Sequence, residues 1–477
     1  MQRWQLTLGL TVVALGAAII APRLAGFTLP APRVDVPIPE VVPNVVAPIV
    51  EAVVAAPTST GHLVVTAGLD RTAVLEGATQ ERFLAITVTA PDDIGESFRR
   101  AVDMAVVIDA SGSMSARGKI DYAKRAAKLI ASQMNSGDTY SLVTFNDDAT
   151  TVVPATRVDD PTVIHRAIDR IYEGGGTNLY AGMDRGAAEV KRSLEDGAVG
   201  RVIVLSDGNA NVGVTDPDSL ARYAASLTGQ GIAVSTIGLG LDYNEDLLAR
   251  MADLSGGTYD FVDDPRELET VFADELDRTA SVVARSSAVK IQLPDGVEPV
   301  EVIGWDATQT EDGWTVWMGD VYAGETRKII TKVRVTGLSD STMDVASIKV
   351  DYQDVVDGIT AAAYADATAK VTNSAATVDA SVDKSRAVDA NRAYGNWYLD
   401  MSTRAYERGD LAESKKLLRR GANVLNTASQ QLAAPELANE AEDLDRQEVL
   451  YHSYAPASDE GKRAIKGGKE LFRGRAR

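Results

Sequence analysis

The chain has 477 residues, and this length predicts two to four domains. Its formal net charge of −20 argues against nucleic acid as a partner, because the phosphate backbone binds basic surfaces. Cysteine is absent, which excludes disulfides, a thiol nucleophile and cysteine-ligated zinc.

An uncharged apolar run at residues 6–21 follows Arg3 near the start of the chain. Its length lies between that of a signal-peptide core and that of a membrane span of roughly 17–25 residues. No clear Ala-x-Ala cleavage site lies near its end, where a proline and an arginine follow. We predict that residues 1–27 are a signal peptide or a single N-terminal membrane anchor, with the uncleaved anchor preferred. The protein is then exported and either periplasmic or at the cell surface.

Residues 28–60 form a proline-rich segment that predicts a linker. Repeated proline among valine and alanine favours an extended, polyproline-like backbone over helix or sheet. Such a linker after an anchor would lift the next domain away from the membrane. A proline-rich peptide ligand is the alternative, although basic flanks for docking are missing. The prolines are Pro30, Pro32, Pro37, Pro39, Pro43, Pro48 and Pro57.

Two separated stretches, residues 61–100 and 285–376, contain runs with the apolar content and alternation of β-strands. The strands of the first stretch cannot form a stable sheet alone. Combining both stretches in one β-sandwich would bury the apolar faces of all these strands. The sequence therefore predicts a sandwich into which the intervening domain is inserted.

Residues 101–284 alternate between strand-like runs and amphipathic helical stretches. This alternation predicts an α/β domain with a doubly wound, mostly parallel sheet. Ligands of such folds bind at the carboxyl edge of the strands. The strand-like runs are 102–108, 140–145, 201–205 and 232–237, and the helical stretches are 120–134, 162–171, 179–194, 219–227, 245–254 and 265–280.

Polar oxygen-bearing residues follow the first strand of this domain. The strand is expected to end at Asp109, and Ser111 and Ser113 follow at the second and fourth positions beyond it. Small residues between them permit a tight turn. Hard cations such as Mg²⁺ prefer oxygen ligands, and these three side chains supply half of an octahedral shell. An ordinary serine-glycine turn is the alternative.

Two later segments favour the metal site over an ordinary turn. Thr177 follows a glycine-rich loop directly before a helical stretch, and Asp207 ends the apolar strand at 201–205. The carboxyl ends of parallel strands meet at one edge of a sheet. We therefore predict one metal site made of Asp109, Ser111, Ser113, Thr177 and Asp207.

This ordered set resembles the metal-ion-dependent adhesion site of von Willebrand factor type A domains. The layout with an inserted domain resembles exported bacterial proteins related to the inter-alpha-trypsin inhibitor heavy chains. The resemblance implies that the hydroxyls bind Mg²⁺ directly, that the carboxylates bind it directly or through water, and that Mn²⁺ or Ca²⁺ could replace it. It also implies a protein partner whose acidic residue fills the open coordination position.

The sequence argues against an enzyme. The three histidines, His62, His165 and His452, are widely separated, and no histidine-based metal motif or Gly-x-Ser-x-Gly motif is present. No residue marks a general base beside the predicted ion.

Residues 377–477 have helical periodicity and predict an α-helical region with a basic tail. A turn at Gly409 and Asp410 separates two helical stretches like those of a single helical hairpin. We expect this region to pack on itself or on the sandwich. The tail is expected to be solvated and disordered, with contact to anionic lipid or cell-wall polymer as the alternative. Its basic residues are Lys462, Arg463, Lys466, Lys469, Arg473, Arg475 and Arg477.

Two functions compete at this point. The first is a non-enzymatic adhesion or scaffolding protein of the bacterial envelope that binds a partner carboxylate through Mg²⁺. The second is an assembly or quality-control accessory of an AAA+ ATPase-type machine, which requires the large domain to lie on the cytosolic side of the membrane.

Overall fold

The computed structural model describes residues 58–92, 99–195, 197–338 and 341–476. The predicted anchor and almost all of the proline-rich segment therefore lie outside the described residues. Among the helices of the described ranges, none has the length and apolar character needed to span a membrane.

Within the described residues 58–92, four strands precede the inserted domain and belong to the sandwich. The linker was predicted to reach residue 60, but Thr58 and Ser59 form a strand that pairs with the strand Ile359–Thr372 of the sandwich. The four strands are β1 (Thr58–Ser59), β2 (Val64–Leu69), β3 (Ala73–Leu75) and β4 (Thr79–Thr89).

The inserted domain spans residues 102–280 and has a six-stranded sheet with helices on both faces. Its elements are β5 (Val102–Asp109), α1 (Lys119–Gln133), β6 (Thr139–Phe145), β7 (Ala149–Arg157), α2 (Pro161–Ile168), α3 (Leu179–Ser193), β8 (Val199–Ser206), α4 (Pro217–Leu227), β9 (Ile232–Leu239), α5 (Glu245–Ser255), β10 (Tyr259–Val262) and α6 (Leu268–Ala280).

The sheet order is β10-β9-β8-β5-β6-β7, and only the edge strand β7 is antiparallel. Strands β5, β8 and β9 are buried along their whole length because both faces of the sheet are covered. Helices α1, α2 and α6 cover one face, and α3, α4 and α5 cover the other. This is the predicted doubly wound, mostly parallel sheet.

In the described ranges after the inserted domain, seven further strands belong to the sandwich. They are β11 (Val282–Gln292), β12 (Val297–Ile303), β13 (Ala307–Thr310), β14 (Gly313–Tyr322), β15 (Thr326–Thr336), β16 (Thr342–Asp354) and β17 (Ile359–Thr372). One sheet has the order β1-β17-β16-β11-β14-β13, with β3 beside β17, and the other has the order β12-β15-β4-β2.

Strands from both sides of the insertion pair directly. Strand β4 runs antiparallel to β15 over eleven residue pairs, from Thr79 with Thr336 to Thr89 with Thr326. The apolar side chains of both sheets form one core, in which Leu84 and Val316 are fully buried. The inserted arrangement that the sequence predicts is thus present.

The C-terminal region contains five helices: α7 (Ala375–Ala380), α8 (Lys384–Glu407), α9 (Leu411–Leu432), α10 (Pro435–Ser453) and α11 (Asp459–Ala476). The turn between α8 and α9 contains Gly409 in a left-handed conformation (φ 78°), and Asp410 caps α9. Helix α8 also packs on the sandwich, where Ala390 and Ala393 contact Ala85 and Ile330.

The prediction of a solvated, disordered basic tail is wrong. The tail is helix α11, which packs against α8 and α10 and places its cations on acidic residues of the inserted domain. Lys466 and Lys469 are 4% and 6% exposed. Buried lysines require charged partners, and the sequence pattern did not indicate that the acidic residues lay opposite. The pairs include Lys462–Asp242 (2.6 Å), Arg463–Asp263 (2.7 Å), Lys469–Asp246 (2.8 Å) and Arg473–Glu245 (3.1 Å).

Candidate metal centre

The two predicted carboxylates meet because their strands are neighbours. Strands β5 and β8 are parallel, with Ile108 opposite Leu205, so both strands end at the same edge of the sheet. Ser206, the last residue of β8, donates its hydroxyl hydrogen to Asp109 Oδ2 at 2.8 Å. Asp207 then begins the loop beside Asp109, where both carboxylates are buried.

The loop after β5 brings both serine hydroxyls to these carboxylates. The Ser111 amide donates to Asp109 Oδ1 at 2.8 Å, which fixes the turn. The Oγ atoms of Ser111 and Ser113 lie 3.0 Å apart. Ser113 donates its hydroxyl hydrogen to Asp207 Oδ1 at 2.6 Å and thereby joins the β5 and β8 loops. Four of the five predicted residues are therefore linked by hydrogen bonds.

Thr177 reaches the same place from the loop before α3. A Cβ added to Gly208 would lie 3.7 Å from Thr177 Oγ1 and 3.9 Å from Ser113 Oγ, so both hydroxyls border one small space. The Thr177 amide donates to Asn211 Oδ1 at 2.8 Å, and the Gly112 amide donates to the Gly175 carbonyl at 3.2 Å. All five predicted residues come together, although their binding of a metal stays a prediction.

Three residues that support the site were not predicted from the sequence. Ser206 orients Asp109, Asn211 holds the Thr177 backbone, and the Lys119 ammonium lies 2.7 Å from Asp207 Oδ2. Ser206 could have been found because it directly precedes Asp207 at the end of an apolar strand. No spacing rule connects Lys119 or Asn211 with the predicted metal ligands.

The electrostatics of the site favour a cation. Burial raises the pKa of Asp109 above its usual value, and the nearby Asp207 charge acts in the same direction, while hydrogen bonds from Ser111 and Ser206 oppose the increase. Two adjacent buried carboxylates are costly without compensating positive charge. Their oxygens, together with three neutral hydroxyls, are ligands that suit Mg²⁺. The residues present therefore fit a hard divalent ion.

His62 and His165 lie away from this centre. His62 Nδ1 lies 2.9 Å from Asp354 Oδ2 in the sandwich, where Asp357 completes the one group of three His, Asp or Glu ligands found in the part of the chain that the structure describes. His165 Nε2 lies 3.1 Å from the Ser132 hydroxyl on α1. Neither histidine contacts the predicted metal ligands.

Comparison with known proteins agrees with this geometry. The family model of the von Willebrand factor type A domain matches residues 103–274. The chain contains a von Willebrand factor type A (VWA) domain. VWA domains bind a divalent metal at their metal-ion-dependent adhesion site and are typical of metal-dependent interaction or adhesion proteins.

One solved structure and two known proteins are similar to this chain. A solved structure described as von Willebrand factor type A from Catenulispora acidiphila superposes with a TM-score of 0.64 at 18% identity, covering 89% of this chain and 97% of the other. Uncharacterized protein YfbK of Escherichia coli is 26% identical over 264 residues, which are 54% of this chain and 46% of YfbK. Human inter-alpha-trypsin inhibitor heavy chain H4 is 28% identical over 207 residues, which are 41% of this chain and 22% of H4. The chain thus spans less than half the length of these two relatives.

Proposed function

We propose that this protein is a non-enzymatic, metal-dependent protein-binding protein of the bacterial envelope, with an adhesion or scaffolding role. Asp109, Ser111, Ser113, Thr177 and Asp207 would hold Mg²⁺, and the ion would bind an acidic residue of a partner protein. The hydrogen bond between Ser113 and Asp207 carries this proposal, because it joins the two loops that supply most of the ligands.

The arrangement suits recognition through the ion. Ser206 and the Ser111 amide already engage both oxygens of Asp109, and Ser113 and Lys119 engage those of Asp207. Neutral hydroxyls then supply much of the coordination shell, so the ion keeps positive charge for an external carboxylate. A bound divalent ion is the largest local charge and attracts such a ligand.

The proposed location rests on the sequence. The apolar run at residues 6–21 and the proline-rich segment after it support export and a single N-terminal anchor. In this location the VWA domain would face the periplasm or the exterior, where it could bind an acidic residue of a partner protein through Mg²⁺.

A pull-down from envelope extract tests the proposal. The full-length chain would be used in Mg²⁺ and in chelator, with wild type compared with Asp109→Ala. Asp277→Ala is the matched control, because Asp277 is exposed on α6 and makes no contact with the site. We expect a protein that wild type and Asp277→Ala retain only in Mg²⁺ and that Asp109→Ala does not retain. Retention that is identical in every sample would refute the proposal.

A further inference from the structure

Lys119, the first residue of α1, forms an ion pair with a carboxylate of the proposed metal site. Its Nζ lies 2.7 Å from Asp207 Oδ2, and its side chain is 14% exposed beside the fully buried Asp207 carboxylate. A charged lysine has no lone pair and therefore is not a metal ligand. Its positive charge instead changes the net charge of the site.

The Lys119 ammonium changes the net charge of the centre by one unit. Asp109 and Asp207 contribute −2 and Lys119 contributes +1, so the centre carries −1 before a divalent ion binds and +1 afterwards. Without Lys119 the corresponding charges would be −2 and 0. Charges interact more strongly in a partly buried centre than in water. A difference of one charge therefore has a large effect on the affinity of the centre for cations and for anions.

The surrounding backbone keeps the Lys119 ammonium at the centre. A Cβ added to Gly240 would lie 3.4 Å from Lys119 Nζ, which places the turn between β9 and α5 against the ammonium. Asp242 lies in the same turn, where the hydrogen bond from Lys462 lowers its pKa and the Lys119 charge acts in the same direction. Asp242 is itself paired with Lys462 at 2.6 Å, so Asp207 remains the principal partner of Lys119.

We propose that Lys119 is a specificity-determining residue that makes Mg²⁺ and a carboxylate ligand bind cooperatively. This inference rests on the proposed function of the same centre. Lys119 weakens Mg²⁺ binding in the absence of a ligand and leaves the loaded centre with a charge of +1. A bound carboxylate then returns the charge to zero and retains the ion. By thermodynamic linkage, Mg²⁺ raises the affinity for the carboxylate by the same factor.

Titration calorimetry of the full-length chain tests this inference, with Mg²⁺ as titrant and acetate as the carboxylate probe. Lys119→Met removes the charge and keeps much of the side chain, whereas Lys119→Arg keeps the charge. Lys191→Met is the matched control, because Lys191 is exposed and lies about 18 Å along α3 from its first residue, at about 1.5 Å per residue.

We expect Lys119→Met to bind Mg²⁺ alone at least about 10-fold more tightly than wild type, because a repulsive charge is removed. Acetate should tighten Mg²⁺ binding by wild type, Lys119→Arg and Lys191→Met, and much less by Lys119→Met. Unchanged or weaker Mg²⁺ binding by Lys119→Met would overturn the inference and leave Lys119 as a structural partner of Asp207.

Two further measurements separate the possible failures. Lys119→Gln repeats the test if Lys119→Met unfolds before wild type in a thermal melt. Failure of the proposed function gives a different result, in which wild type and Asp109→Ala bind Mg²⁺ equally or acetate has no effect on wild type. If only the inference fails, wild type still binds Mg²⁺ more tightly than Asp109→Ala does, and acetate still tightens Mg²⁺ binding by wild type.

Discussion

Arg201 of the VWA domain donates a hydrogen bond to Asp320 of the sandwich, with 3.2 Å between Nη2 and Oδ2. The Arg201 side chain is fully buried in β8, and it also donates to the Thr279 hydroxyl on α6. Asp320 lies on β14, and burial raises its pKa while Arg201 opposes that increase. This pair therefore ties the VWA domain to the sandwich into which it is inserted.

Replacing Arg201 should strongly destabilise the protein. Arg201→Met leaves the buried carboxylates of Asp320 and Glu275 without their cation, and breaking such a buried pair costs about 3–5 kcal/mol. Urea denaturation would measure the free energy of unfolding. Arg222→Met is the control, because Arg222 is exposed and its distance to Asp216 is 3.9 Å, and it should change that free energy by less than about 1 kcal/mol. Equal effects of both variants would contradict the role of the pair.

The same domain contact predicts a strict requirement for glycine at position 319. Gly319 has φ 75°, and an added Cβ would lie 2.4 Å from the Gly256 Cα in the VWA domain. Gly358 has φ 68° but no atom within 4 Å of an added Cβ. Gly358→Ala should therefore cost about 1–2 kcal/mol from backbone conformation alone. Gly319→Ala should lower the thermal midpoint considerably further, and a similar loss in both variants would show that the close approach is unimportant.

Lys466 predicts a defined pH dependence of stability. Burial lowers its pKa to about 8, although Glu245 opposes this change, whereas an unfolded lysine has a pKa of about 10.4. Between these values the unfolded state binds more protons, so stability should rise with pH. Relative to Lys466→Met, the free energy of unfolding of wild type should increase by up to about 3 kcal/mol across this range, at about 1.4 kcal/mol per pKa unit.

Lys462 provides the comparison for that experiment. It lies on the same helix, but pairing with Asp242 raises its pKa, so its contribution to stability is present at lower pH and is lost as pH rises through the folded-state pKa. Denaturation of Lys462→Met at the same pH values should therefore not reproduce the Lys466 effect. A difference between wild type and Lys466→Met that does not change with pH would contradict the lowered pKa of Lys466.

A comparison of Ser113 with Ser115 tests whether the Ser113 hydroxyl is a metal ligand. Ser113 faces Asp207, whereas the exposed Ser115 donates to the Gly112 carbonyl within the same loop. Ser113→Ala should weaken Mg²⁺ binding by at least about 10-fold, since even supporting groups of metal sites contribute 10- to 100-fold. Ser115→Ala should leave the affinity unchanged in calorimetry. The reverse order would exclude Ser113 as a ligand.

Periodicity predicted the fold class, and the ends of the strands predicted where Asp109 and Asp207 meet. Asp109 and Asp207 follow neighbouring parallel strands, so the sheet necessarily places them at one edge. A sandwich built from both flanks was also predictable, because the strands before the insertion could not form a stable sheet alone, but the pairing of β4 with β15 is known only from the structure.

Contacts between distant elements could not be predicted in this way. Arg201 and Asp320 are 119 positions apart, and no repeat or spacing connects them. Charge alone favoured a solvated tail, because lysine and arginine are usually exposed. The structure instead places Lys466 over the Tyr243 ring at 3.6 Å and beside Glu245, a set of partners that comes from the packing of α11.

Anomalous diffraction from crystals of the protein soaked in Mn²⁺ tests the central claim most directly. Mn²⁺ takes oxygen ligands as Mg²⁺ does and can be located by its anomalous signal. We predict a single strong peak bordered by the Ser111, Ser113 and Thr177 hydroxyls, which is lost in Asp109→Ala crystals. A wild-type map with no peak at this position would contradict the proposed metal centre and the recognition that depends on it.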